Sequence, residues 1–230
     1  MNKRQRTTCV LALLAIISLP VLAKDIEIKV AGTITPSGCT PTLSGGGSVD
    51  YGTMASDTLT LDAYTLLDRK SLDLTITCDA PVKLALETKN GRPNTLAGVD
   101  TEDTISGAGL SPVDGGDIKG AVVVGLGLSG KARIGGYGLG IMSAMADSKT
   151  IELISRDGSS GEWNNKDTSI YSIGVKRQLS WGIRGSKDPA PFQNITLNLY
   201  VQAYINKASE LDLTKPVVLD GLSTIELIYL

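Results

Sequence analysis

The side chains with any capacity for chemistry here are three cysteines, a triplet of glycines and scattered carboxylates, and no histidine accompanies them. Without histidine, a Ser-His-Asp or Cys-His nucleophile has no base. Asp114 with Asp117, and Glu102 with Asp103, have the spacing of acid/base couples. Both pairs sit in glycine-rich polar stretches, where solvated loop charge is the better reading. Asp100 to Asp103 matches no recognised calcium loop. Gly125, Gly127 and Gly130 satisfy G-x-G-x-x-G, but a dinucleotide site needs that turn to open a helix inside a βαβ unit. The chain after Gly130 reads K-A-R-I-G-G-Y-G-L-G, too glycine-rich for a helix. The three glycines are read as serving turns and bulges in a sheet. Asn194-Ile195-Thr196 fits a glycosylation acceptor but opens a strong strand and carries no weight. Neither an enzyme nor a cofactor is expected.

The cysteines take their meaning from the N-terminus. Lys3, Arg4 and Arg6 form a charged region, Val10 to Leu22 is almost wholly apolar, and Val21-Leu22-Ala23 supplies a cleavage site. This predicts a signal peptide over 1–23, with Lys24 the first mature residue. The apolar run is short for a membrane anchor. Removing it leaves 19 basic residues against 24 acidic, a net −5, so nothing draws the chain to nucleic acid or an anionic membrane. Export to the periplasm also leaves two cysteines, Cys39 and Cys78. An even count in an oxidising compartment favours a disulfide over two free thiols, and a metal pair lacks histidine to complete it. Closing that loop is worth about 4 kcal/mol on a chain-entropy model.

The elements that would position these residues are strands. From Asp25 to Thr35, Ile26, Ile28, Val30, Gly32 and Ile34 alternate with polar residues, the pattern of a half-buried strand. Pro36-Ser37-Gly38 then separates this arm, residues 24–35, from a domain spanning 36–230. Within the domain, period-two patterns predict strands at 72–78, 82–87, 171–175 and 197–205, and over the last residues, where Ile225, Leu227 and Tyr229 share a face. Shorter strands are expected at 121–124 and 151–154, with Ser159 to Asp167 a polar loop around Trp163. Pro81 is expected to bend the chain. The one stretch with some helical character is Leu139 to Ala146. Many short strands parted by turn signals indicate an antiparallel sandwich or barrel in one elaborated domain.

Three features resemble subunits of chaperone–usher pili: the signal peptide followed by D-I-E-I-K-V-A-G-T-I, the spacing of Cys39 and Cys78, and the C-terminal T-I-E-L-I-Y-L with Gly221 upstream. The blocks T-P-S-G-C-T-P, V-D-Y-G, L-T-I-T-C-D-A-P, G-L-G-L-S-G-K-A-R-I-G-G-Y and L-D-G-L-S-T-I-E-L-I-Y-L are similar to a narrower group of exported, fimbrial-like proteins, the GltF-like family. The resemblance implies an all-β, immunoglobulin-like (pilin-like) sandwich with one disulfide and a glycine-rich insertion between Asn90 and Gly161. It also implies a missing last strand, with an apolar groove beside the C-terminal one. A periplasmic chaperone would fill the groove first. A neighbouring subunit's arm would then replace it at an outer-membrane usher, in donor-strand complementation that builds a fimbrium at the cell surface. Ile26, Ile28, Val30 and Ile34 would be the knobs, with Gly32 at the shallow point. Gly221, Ile225, Leu227, Tyr229 and the Leu230 carboxylate would form the acceptor side.

The chain departs from that pattern in its length, in the apolar Ile228 and Leu230 on the other face of the last strand, and in its short arm. A host glycan or surface is a further candidate partner, with Trp163 the attractive platform, although a lone loop tryptophan more often packs onto its own domain. The alternative to a fimbrial subunit is a stand-alone periplasmic binding or accessory sandwich whose arm completes its own sheet.

Overall fold

The structure, a computed structural model, describes residues 38–230. The signal peptide over 1–23 and the arm over 24–35 therefore lie outside the described residues. Fourteen strands run in order: β1 (Cys39–Leu43), β2 (Thr65–Leu66), β3 (Lys70–Val82), β4 (Leu84–Asn90), β5 (Gly109–Leu110), β6 (Val122–Gly125), β7 (Leu128–Ser129), β8 (Ala132–Arg133), β9 (Gly135–Ala146), β10 (Lys149–Thr150), β11 (Glu152–Asp157), β12 (Arg177–Gly182), β13 (Phe192–Ile205) and β14 (Ser223–Tyr229). Every pairing between them is antiparallel. One sheet runs β1-β3-β13-β9-β6-β5, with β2 and β10 attached, and the other runs β11-β12-β4-β14. Among the described residues no helix is long and apolar enough to cross a membrane.

Period two dictates which faces meet. Leu74, Ile76 and Cys78 of β3 and Ile195, Leu197, Leu199, Val201 and Ala203 of β13 face inward, against Leu84 and Leu86 of β4 and Leu179 and Trp181 of β12. This is the expected sandwich. The strands read from alternation are β3, β4, β13 and β14, with β6 and β11 close to the expected shorter ones. Pro81 does not end β3. Instead the register slips there: Val82 pairs with Phe192 and Thr77 with Asn194, so five steps of β3 oppose two of β13.

Two expectations fail for identifiable reasons. The stretch 171–175 is irregular, and the strand comes next, at β12. All six β12 residues are buried, and its polar members read as exposed only until their partners are known. Arg177 meets Asp157 at 2.9 Å and Asp167 at 2.5 Å, Gln178 donates to Glu87 at 3.2 Å, and Ser180 donates to the Leu84 carbonyl at 2.7 Å. Buried polar groups with partners are tolerated where lone ones are not.

Leu139 to Ala146, given some helical character above, is strand within β9, which pairs with β13 over eleven positions from Ile205↔Gly135 to Ile195↔Ala146. The alternating glycines of β9 explain the disguise. Gly136 and Gly140 stand opposite Tyr204 and Tyr200 of β13, and those rings lie across the positions a Cβ would take. Aromatic side chains thus cover the sheet where glycines leave it bare. The same outer face carries a second small core of Leu96, Ala97, Ile118, Val123 and Tyr204. The glycine-rich stretch supplies four of those five.

The loop carboxylates are corrected in part. Glu102 is only 9% exposed and accepts the Asn94 and Leu96 N–H groups, so it organises a turn from inside. Asp103 caps the next turn through the Ser106 N–H at 2.6 Å. Asp114 and Asp117 do lie at the surface, beside Lys119 and Arg69. Gly127 and Gly130 adopt positive φ around the β7–β8 hairpin, as the turn reading expects. Trp163 carries the Arg156 guanidinium 4.5 Å from its ring centre, so one face is already taken.

Candidate functional site

The two sheets leave one long side of the sandwich open among the described residues. Among the described residues β1 pairs only with β3, and β14 only with β4. Between these two edges lies an apolar groove of about 1250 Å³. Its floor is Leu72 and Leu74 of β3 and Leu199 and Val201 of β13, and Leu43 and Leu227 stand at the two rims.

Antiparallel geometry fixes which backbone groups face the opening, because residues alternate between bonding the partner strand and pointing away from it. The Gly91 N–H donates to the Leu222 carbonyl at 2.8 Å, and the Leu230 N–H to the Lys83 carbonyl at 3.1 Å. Even-numbered residues of β14 therefore bond β4. Ser223, Ile225, Leu227 and Tyr229 turn their N–H and C=O groups outward. In β1 the Asp79 N–H donates to the Gly38 carbonyl at 2.9 Å, so Cys39, Pro41 and Leu43 are the outward residues. The outward row of β14 is a template for another strand, whereas on β1 the Cys39 N–H is taken by the Tyr229 hydroxyl and Pro41 has none.

The side chains agree with the backbone. Ile225 and Leu227 face the core opposite Thr88 and Leu86, yet both remain only half-buried. Gly221 also lines the groove, and a Cβ there would meet Tyr137 at 2.8 Å and Leu126 at 3.0 Å. Tyr229 is half-exposed, and its hydroxyl accepts the Cys39 N–H at 3.0 Å, tying the two rims together at one end. Leu230 lies on the opposite parity, where it extends the ladder to Lys83. Ile228 pairs with Ala85 and is half-buried, which accounts for its apolar character on that face.

Cys39 and Cys78 are joined as a disulfide and are also directly paired across β1 and β3. The bond fixes the rim strand to the floor strand. Of the residues expected on the acceptor side, Gly221, Ile225 and Leu227 line this groove and Tyr229 and Leu230 do not, while Ile26, Ile28, Val30, Gly32 and Ile34 lie outside the described residues.

Sequence reasoning read the floor strands without assigning their side chains to the site, and it missed the site's polar end. Tyr137 and Tyr171 place their hydroxyls 2.6 and 2.7 Å from Ser223 Oγ. Burial pushes both phenols above their ordinary pKa, so they remain neutral hydrogen-bonding groups. Beside them Arg92 grips both oxygens of Asp220 at 2.7 Å, which anchors the turn into β14. The segment before β14 also lines the groove through Leu211, Leu213, Val217 and Leu219. Their shared odd parity with Ile225 and Leu227 was a signal available in the sequence.

Among the described residues no group of acidic, cysteine or histidine side chains is arranged to hold a metal ion. What the groove offers is backbone pairing and apolar surface.

A family model described as "Protein of unknown function (DUF1120)" matches residues 28–138. Protein GltF of Escherichia coli (strain K12) is 29% identical over 252 residues, covering all of this chain and 99% of GltF. The uncharacterized protein YhcF of the same strain is 26% identical over 220 residues, covering 90% of this chain and 92% of YhcF. The likeness to GltF spans the β1 rim, the floor and β14 together.

Proposed function

We propose that this chain is an exported structural subunit of fimbrial type, which joins its neighbours by donor-strand complementation through a periplasmic chaperone and an outer-membrane usher. The observation that carries the reading is the apolar groove between β14 and β1, with outward-turned backbone on both rims. Strand addition draws affinity from such a row and selectivity from the pockets beneath it. The arm supplies the complementary pattern in Ile26, Ile28, Val30 and Ile34. Burying four such side chains is worth roughly 6–12 kcal/mol gross before ordering costs, enough for a durable joint.

The test is a synthetic Asp25–Thr35 peptide added to the full chain carrying Ile28→Asp, which disables its own arm. At a peptide concentration about 100-fold above Kd, melting should rise by roughly 5–10 °C. No binding and no rise would rule out an acceptor groove.

A further inference from the structure

The floor of the groove shares a sheet with only one of its two rims. Leu72 and Leu74 of β3 and Leu199 and Val201 of β13 form the floor, and both strands belong to the sheet that β1 edges. A strand bonded to the free edge of β1 would continue that sheet in its own plane. It would lie with β1 and β3 between it and β13, and could not cover a floor made by its own sheet. A strand bonded to β14 joins the opposite sheet, roughly 10 Å away, whose inward side chains face that floor.

The backbone of the rims favours the same side. Ser223, Ile225, Leu227 and Tyr229 of β14 turn four N–H groups to the opening, and among the described residues no loop or side chain takes them. On β1 the Cys39 N–H is donated to the Tyr229 hydroxyl. At Pro41 the ring stands where an N–H would be. Proline within sheets is confined to edges whose N–H side faces solvent, and it is one of the devices that keep an edge from pairing.

We propose that an added strand bonds β14 alone, as a fifth member of the sheet β11-β12-β4-β14, and that Pro41 keeps β1 a closed edge. The inference rests on the donor-strand reading, with Asp25–Thr35 as the sequence of the added strand, and names the rim that holds it. Those eleven residues more than span the seven of β14.

A strand held on one side has a backbone signature. Successive residues present their N–H and C=O groups to opposite sides, so only every second amide of the added strand meets β14. The remaining amides face away from it. Blocking the first set removes bonds, while blocking the second removes none, whichever way the strand runs.

The experiment titrates N-methylated Asp25–Thr35 peptides into the full chain carrying Ile28→Asp, by calorimetry. One set is methylated singly at Ile28, Val30 or Gly32, and the other at Lys29, Ala31 or Thr33. Methylation deletes a donor and leaves the side chain unchanged. In one set binding should weaken about tenfold, and in the other it should stay within about threefold of the unmodified peptide. Pro41→Ala in the same chain gives β1 a further N–H and should leave affinity within about twofold, because no strand is there to receive it. If the alanine variant fails to fold, Pro41→Ser supplies the same donor.

Equal weakening in both sets would put backbone bonds on both sides of the strand and overturn the choice of rim, leaving the donor-strand reading standing. A larger rise in affinity with Pro41→Ala would do the same, by bringing the strand onto β1. Tolerance of methylation in both sets shows a peptide not held by its backbone, and removes bonding to β14 altogether. Failure of the unmodified peptide to bind sinks the donor-strand reading, and the choice of rim with it.

Discussion

Gly125 closes β6 with its Cα against the backbone of Thr95 and Leu96, where a Cβ would come within 2.6 Å of the Leu96 nitrogen. Gly125→Ala should therefore destabilise the fold by about 1–3 kcal/mol, read from the urea midpoint. A nucleotide-binding glycine would instead change ligand affinity. The ionisable residues set the pH limits. Hydrogen bonds hold several carboxyls below their ordinary range, among them Asp103 by the Ser106 N–H, Glu152 by the Gly185 N–H and Asp220 by the Arg92 guanidinium. A folded-state pKa below the unfolded value of about 4 gives stability that is present above pH 4 and lost as pH falls through the folded value. Melting temperature should thus drop below about pH 4, and Arg92→Gln should flatten part of that drop. At the other extreme, burial raises Tyr137, Tyr171 and Tyr204. Their contribution is intact below about pH 10 and fades as pH climbs past it.

The disulfide acts at the scale of the strand. It joins the first pair of β1 and β3, and β1 is a five-residue edge with no second partner among the described residues. Cys39→Ser with Cys78→Ser should cost about 4 kcal/mol of unfolding free energy, from a loop of 39 residues. Peptide affinity should fall with it, because a loosened β1 no longer defines the far rim. Calorimetry of the two forms separates these effects. Strands with one wet face were legible in advance: Leu72, Leu74, Ile76 and Cys78 declared β3, and Leu197 to Ile205 declared β13. β12 was hidden because R-Q-L-S-W-G shows no alternation once both of its faces are buried. β9 was hidden because its glycines carry no propensity for strand, and their reason lies in Tyr200 and Tyr204 on another strand.

For the whole molecule the groove is a consequence of strand count. Among the described residues the edges at β1 and β14 each lack a neighbour, and about 1250 Å³ of apolar cleft lies between them. Ile28→Asp in the full chain should leave the circular dichroism of the sandwich intact while shifting its elution to monomer. Destabilisation of the domain instead would mark an arm folded into its own sheet. By itself the sequence determined the class of fold, the cysteine pair and the face of β14 turned to the core, because period-two alternation and a cysteine count are local or additive properties. Tertiary structure alone decided that Gly221, Ile225 and Leu227 line one cleft among the described residues, that Glu102 is structural, and that Tyr229 holds the Cys39 N–H. Each of those is a meeting of residues far apart in the chain, and no local pattern encodes which edges a sheet leaves unpaired.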